Sequence, residues 1–173
     1  MRFPLTEHLA MPSRDHHYRA DVQWHGNTGR GTAGYGDYAR SFRARIEGKP
    51  ELTGSADAAF AGDPAAHNPE DLLLVALSAC HMLTYLALCA RAGICVLAYR
   101  DHCEGVLALD AAGSGAFREA TLRPQVAVAA SDHVEQARAL HEAAHRACFI
   151  ARSCRFPVAH HAQVGTLAAE GAA

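Results

Sequence analysis

One stretch constrains the fold of this chain more than any other: Asn68-Pro69-Glu70-Asp71 running into Leu72-Leu73-Leu74-Val75-Ala76-Leu77-Ser78-Ala79-Cys80-His81. Asn68 is a good N-cap and Pro69 suits the first helical position. Glu70 and Asp71 put negative charge where the helix dipole favours it. The apolar run that follows predicts a helix from Pro69 to Ala92, stopped by Gly93 just after Arg91. With almost no polar face, this helix is expected to be buried on most sides. It carries one thiol, Cys80, about three turns in. Core packing is the usual fate of a free thiol. A second thiol, Cys148, lies in another His-rich helical segment far along the chain.

Composition narrows the chemistry of this pair. A length of 173 residues, half of them hydrophobic, suits one compact globular domain with a sizeable core. A net charge of −2, with no basic run, argues against nucleic acid as a partner. Met1 to His17 has no apolar core and does not read as a signal peptide. The best apolar run is interrupted at Ser78, Cys80, His81 and Thr84, so no membrane span is expected and the cytoplasm is the expected compartment. There, six cysteines (80, 89, 95, 103, 148 and 154) are not expected to form a static disulfide framework. No Cys-x-x-Cys pair is present, which excludes a thioredoxin motif and a zinc ribbon. Two helix-borne thiols in this setting read as redox chemistry rather than as a staple.

The remaining pattern predicts an α+β fold, an antiparallel sheet packed on two main helices. Residues 1–16 read as a loose arm, 17–164 as one domain and 165–173 as a frayed tail. Strands are predicted over Tyr18 to His25, weakly around Tyr35, and over Ser41 to Glu47, where Phe42, Ala44 and Ile46 alternate with charged residues. From Ser55 to His67 the Ala, Gly, Asp and Pro content marks a long loop. Beyond the apolar helix, Val96 to Leu109 and Phe117 to Ala129 read as two longer strands. Ser131 or Asp132 is the expected cap of a second helix running to about Arg152, and Phe156-Pro157-Val158 reads as a short edge strand.

Cys80 is the leading nucleophile, and a thiol reacts as its thiolate. Three turns into a helix it cannot use that helix's own N-terminus, so a cation must come from elsewhere. Arg40, Arg30 and the adjacent His81 are the available donors. Helical spacing puts His141, His145 and Cys148 on one face, an arrangement able to bind zinc, although no Glu follows the first His as in metalloproteases. The alternative is a polar helix flank in a protein that has twelve histidines. Cys89 and Cys95 read as packing residues, Cys103 as exposed, and Cys154 as the rival for a resolving role.

The Asn-Pro-Glu ending at Glu70, the Cys80-His81-Met82 ten residues on, and the later Ala144-His145-Arg146-Ala147-Cys148-Phe149-Ile150-Ala151-Arg152-Ser153 together resemble the OsmC/Ohr family of thiol peroxidases. The closest likeness is to its subgroup with a Cys-His-Met motif. The resemblance runs from about Trp24 to Val158 and takes in Tyr38-Ala39-Arg40-Ser41-Phe42, Gly54-Ser55-Ala56-Asp57 and Leu122-Arg123-Pro124.

This resemblance implies an OsmC-like fold in which two subunits interlock as a homodimer, with active sites at the interface. It implies that Cys80 is the peroxidatic thiol, Cys148 the resolving thiol and Glu70 the carboxylate that holds an arginine. The arginine is Arg40, which matches the Tyr-x-Arg of the subgroup; Arg30, after the Gly-rich turn, is the alternative. His81 and His145, near the two thiols, have no counterpart in the peroxide-resistance branch. The activity implied is reduction of organic hydroperoxides in oxidative-stress defence, with a dithiol reductant and neither cofactor nor metal. The Ala-His-Arg-Ala-Cys-Phe context differs from the Cys-Pro-Tyr-Ser of the peroxide-resistance branch, so a preference for fatty hydroperoxides is not implied. The alternative is a protein of this fold without peroxidase turnover, binding a small apolar ligand or a metal. Ten residues of unbroken helix would separate Glu70 from Cys80 by about 15 Å along the axis. One site can use both only if the helix is interrupted or another segment bridges them.

Overall fold

The computed structural model describes residues 15–167. They fall into two compact units, one up to Ala66 and one from His67 onward. The junction lies in the Ala/Gly/Asp/Pro-rich stretch. Most of the expected N-terminal arm, and residues 168–173 of the expected tail, lie outside the described residues.

In the first unit, β1 (Asp21–Trp24), β2 (Phe42–Arg45) and β3 (Leu52–Gly54) form an antiparallel sheet in the order β1-β2-β3. The expected strand around Tyr35 is absent. The chain there is a series of turns closed by the Asn27 side chain, which accepts from the Gly29 and Gly31 N–H groups at 2.9 and 3.0 Å. The alternation rule also missed β3, which is too short to show a period.

The second unit holds α1 (Pro69–Arg91), β4 (Val96–Asp101), β5 (Glu104–Leu109), β6 (Gly115–Leu122), β7 (Pro124–Val128), α2 (Val134–Ala147), α3 (Phe149–Ser153), β8 (Val158–His160) and β9 (Gln163–Thr166). The helix boundaries of α1 follow from its ends. Asn68 and Asp71 form a reciprocal capping box, the Asn68 side chain accepting from the Asp71 N–H at 2.8 Å. At the other end Gly93 takes φ +73°, the Ile94 N–H reaches the Cys89 carbonyl at 2.9 Å and the Gly93 N–H reaches Ala90 at 3.2 Å. That is a Schellman turn, which needs a residue without Cβ strain at its left-handed position.

The two long strands expected over 96–109 and 117–129 are each broken at the same level. The result is a hairpin bent into two sheets, β4-β7-β9 and β5-β6-β8. Pro124 has no N–H to donate, and Asp101 opposite it turns its carboxylate inward instead. Its Oδ1 accepts the Arg123 N–H at 2.7 Å and its Oδ2 accepts the Ser78 hydroxyl of α1 at 2.5 Å. One carboxylate thus bends the sheet and ties the bend to the helix. The antiparallel expectation holds for β4–β7 and β5–β6, while β8 and β9 join in parallel. Residues 165 and 166, expected to fray, are part of β9.

The second helix also differs from expectation. Ser131–His133 form a turn of 3-10 helix without a side-chain cap, and α2 ends at Ala147 rather than near Arg152, because Cys148 adopts an extended conformation before α3 begins.

One stripe of α1 is fully buried: Leu77, His81, Tyr85 and Cys89, spaced by four. Tyr85 and Cys89 pack with Ile94, Val126, Val128 and Ala144 in the main core. The expectation that α1 is covered on most sides is corrected by Val75 and Leu83, which are 64% and 61% exposed. Also corrected is the absence of a run of membrane-spanning length, since by length and composition α1 qualifies. Its buried stripe, with a histidine in it, packs on α2 and on the sheet, as a core helix does.

Replacing Asn68 by Ala removes one half of the capping box. We expect a loss of about 1 kcal/mol in unfolding free energy, read from urea denaturation with an unchanged m-value.

Candidate active site

Cys80 lies half-buried about three turns into α1, and Cys148 is fully buried at the break between α2 and α3. The two thiols are neighbours, close enough for the Cys80 sulfur to act on the titration of Cys148. The break is what aims Cys148. Its sulfur serves as the N-cap acceptor of α3, taking the Ala151 N–H at 3.4 Å. Burial pushes the Cys148 thiol up to about 11, the backbone N–H groups of Ala151 and Ile150 work against that rise, and the Cys80 thiol adds to it. Cys148 is therefore a protonated thiol at neutral pH, with its proton available to the Cys80 sulfur.

The other cysteines are differently placed. Cys89 is buried beside the Tyr85 hydroxyl, in agreement with a packing role, whereas Cys95 is exposed. Cys103 is half-buried rather than exposed, its thiol pushed up to about 11 by burial and then by the Asp101 and Glu104 charges. Cys154 is half-buried at the end of α3, packed against the Leu77, Ala120 and Leu122 cluster.

Glu70 is half-buried in the first turn of α1. The helix between it and Cys80 is uninterrupted, so the two remain about 15 Å apart along the axis. Arg30 and Arg40 belong to the first unit. Arg40 is clamped: its guanidinium lies 4.3 Å over the Tyr35 ring and 4.1 Å over the Tyr38 ring, and donates to their backbone carbonyls at 2.6 and 2.5 Å. Among the described residues no carboxylate pairs with it. Arg30 is largely exposed and stands 3.5 Å from Asp37.

Beside the thiols is a buried polar cluster that sequence spacing had only partly suggested. His81 Nε2 and His141 Nδ1 are 3.0 Å apart, and both rings are inaccessible. Tyr85 stacks on His141 at 3.9 Å between centroids. His160, from β8, lies 5.5 Å from His81 and 5.4 Å from His145, and its Nε2 is 3.2 Å from Glu142. Burial, then the neighbouring His160, pushes His81 down to about 4; burial, then His81, pushes His141 down to about 3. Both are neutral at physiological pH. His81 is thereby corrected as a source of positive charge for Cys80.

The His141, His145, Cys148 face does not form as helical spacing predicts, because α2 stops before Cys148. His141 turns to His81, and Cys148 to Cys80 and Ala151. Among the described residues no group of three or more His, Cys, Asp or Glu side chains is arranged to hold a metal. The residues that sequence reasoning missed are Asp101, Tyr85 and His160. Tyr85 was legible, four residues after His81 on the buried stripe. Asp101 and His160 reach the site only through sheet pairing, which has no local signature.

Residues 62–161 match the family model described as OsmC-like protein. No curated protein matches the chain. Among solved structures, an OsmC-like protein of unknown function from Vibrio cholerae superposes with a TM-score of 0.75 at 27% identity, over 86% of this chain and 100% of that one. An organic hydroperoxide resistance protein from Legionella pneumophila gives 0.62 at 18% identity, over 88% and 100% of the two chains. A third, named as an organic hydroperoxide resistance protein from Elizabethkingia anophelis, gives 0.61 at 18%, over 87% and 98%. The fold, an α+β arrangement with two main helices, is that of these proteins, and the chain belongs to the OsmC-like family.

Proposed function

We propose that the protein is a thiol-dependent peroxidase that reduces organic hydroperoxides. The observation that carries the reading is the juxtaposition of two thiols, Cys80 and Cys148, drawn together from segments that are far apart in sequence. Family membership, and neighbours whose names refer to organic hydroperoxide resistance, support a redox role.

The Cys80 thiolate attacks the terminal peroxide oxygen. The O–O bond breaks, the departing alkoxide takes a proton and leaves as an alcohol, and Cys80 becomes a sulfenic acid. The Cys148 sulfur then attacks the Cys80 sulfur and gives up its proton. The S–O bond breaks, that proton leaves with the hydroxyl as water, and a disulfide remains. A dithiol supplies two electrons and two protons to restore the thiols. An arginine stabilises the attacking thiolate and polarises the O–O bond; Arg40, oriented by the Tyr35 and Tyr38 rings, is better suited than Arg30, which already faces Asp37. Glu70 holds that arginine, and a homodimer interface supplies the bridge over the distance from Glu70 to Cys80. The apolar side of α1, with Val75 and Leu83 bare, is the surface a second subunit covers.

Wild type is expected to consume cumene hydroperoxide with dithiothreitol, and Cys80→Ser to abolish turnover. Peptide mapping after one equivalent of peroxide is expected to give a Cys80–Cys148 bridge; a dominant bridge to Cys154 would remove Cys148 from the scheme. Arg40→Ala should slow oxidation by about ten- to hundredfold, with Arg30→Ala much milder. Stopped-flow oxidation of the two variants decides, and the reverse order would move the cation to the turn. Sedimentation at micromolar concentration should give about twice the 18.4 kDa chain mass. A fully active monomer would refute the shared site.

A further inference from the structure

We propose that His81 and His141 form a positioning pair: their imidazole hydrogen bond pins α1 against α2 so that Cys80 and Cys148 stay within bonding reach. The inference rests on the thiol-pair reading above and assigns the pin to residues that touch neither thiol's reacting partner.

The argument begins with the geometry of two crossing helices. Cys80 and His81 are consecutive on α1, about 100° apart around its axis. Their partners on the other side, Cys148 and His141, are seven residues apart, about 10 Å along α2 and just past its end. A single contact between two helices leaves them free to pivot. Two contacts this far apart fix both the crossing angle and the axial register. The thiol contact cannot serve as its own second support, because it is made and broken in every cycle. The His81–His141 bond is the other support, and its length of 3.0 Å sets the spacing.

The pin is specific because the alternatives are costly. Both rings sit in the contact between α1 and α2, His141 stacked on Tyr85, where water does not reach. Sliding either helix would leave two more buried imidazole nitrogens without partners, beside the His81 Nδ1 and His141 Nε2 that already lack one. The pair works in its neutral form. The groups facing it from every side are Tyr85 of α1, His145 and Glu142 of α2, Tyr99 and Asp101 of β4, and His160 of β8. Asp101 favours a charge on His81, His145 and His160 oppose one, and burial decides for neutrality.

The test uses the fact that an Asn amide reaches the position of imidazole Nδ1 and a Gln amide that of Nε2. The bond joins Nε2 of His81 to Nδ1 of His141, so His81→Gln with His141→Asn restores it. The crossed pair, His81→Asn with His141→Gln, has the same atoms and charge but the wrong reach. The readout is the effective concentration of Cys148 toward Cys80, measured on the intact protein by equilibration with reduced and oxidised glutathione at pH 7.5, without peroxide. The matched pair is expected to stay within about threefold of wild type and the crossed pair to fall about tenfold or more. Should the crossed pair not fold, His141→Asn alone is compared with His141→Leu, which fills the space without a polar atom; Asn is expected to hold the value and Leu to lose it. Equal values for matched and crossed pairs, or for Asn and Leu, overturn the proposal.

Acid gives a second readout. The pair's folded pKa values, about 4 and about 3, lie below the unfolded 6.5, so the unfolded chain binds the extra protons and stability falls as pH drops below about 6.5. The matched pair should flatten that fall in the thermal midpoint between pH 6.5 and 4, and an unchanged slope contradicts the neutral pin. Because glutathione replaces peroxide, a wild type that closes its disulfide yet leaves hydroperoxide untouched would sink the peroxidase reading alone. Failure of wild type to close the bridge would sink the pin.

Discussion

The contact between the buried stripe of α1 and the face of α2 is the constraint on which the second unit depends. Tyr85 and Cys89 supply apolar area to it against Ala137, Leu140 and Ala144, and every position of the stripe is inaccessible. Apolar packing of this kind stabilises but tolerates sliding, since one leucine-sized contact substitutes for another at small cost. The histidine in the stripe removes that tolerance. Its hydrogen bond to His141 can be made in one register only, and the desolvation of an imidazole left unpaired costs about 1–3 kcal/mol. Polarity placed inside an otherwise apolar contact therefore converts stability into precision.

Precision matters because of what lies at the end of α2. The helix stops at Ala147, Cys148 turns into an extended conformation, and α3 starts with that sulfur as its cap. The break presents the thiol to Cys80 rather than leaving it on the flank of a continuous helix. It also sets the division of labour between the two sulfurs. A buried thiol raised to about 11 is a poor first nucleophile but a good proton donor to a neighbour. In the proposed reaction Cys148 therefore waits as a thiol while half-buried Cys80 meets the peroxide.

Much of this was legible because its causes are local. Asn68, Asp71 and Gly93 fix α1 through capping chemistry that acts within a turn, and the sequence bounds are within one residue of those observed. The two thiols stood out by their contexts. What was not legible depends on pairing across the chain. The bend at Asp101 and Pro124 requires two strands to meet before its cause exists, so each half read as one long strand. The parallel addition of β8 and β9 has no local signal either. The end of α2 was overrun because Ala and Arg around Cys148 favour helix, and a sulfur that caps the next helix from within one turn has no familiar sequence signal. His160 joined the cluster for the same reason, brought in by its strand.

The proposed chemistry needs a positive charge at Cys80, and the groups nearest to it in the second unit do not supply one. The N-terminus of α1 is three turns away, beyond the first turn where a helix dipole acts. The first N–H groups of α3 are taken by Cys148. His81, adjacent in sequence, is held neutral by burial and by the imidazoles around it. In the proposed reaction an arginine takes this part, and the two candidates differ in what already surrounds them. Arg30 faces Asp37, so moving it to a thiolate exchanges one anion for another. Arg40 rests on two aromatic faces and two carbonyls, which orient the guanidinium without supplying a counter-charge. A cation prepared in this way loses little freedom when it meets an anion, the economy that electrostatic stabilisation of a reacting thiolate requires.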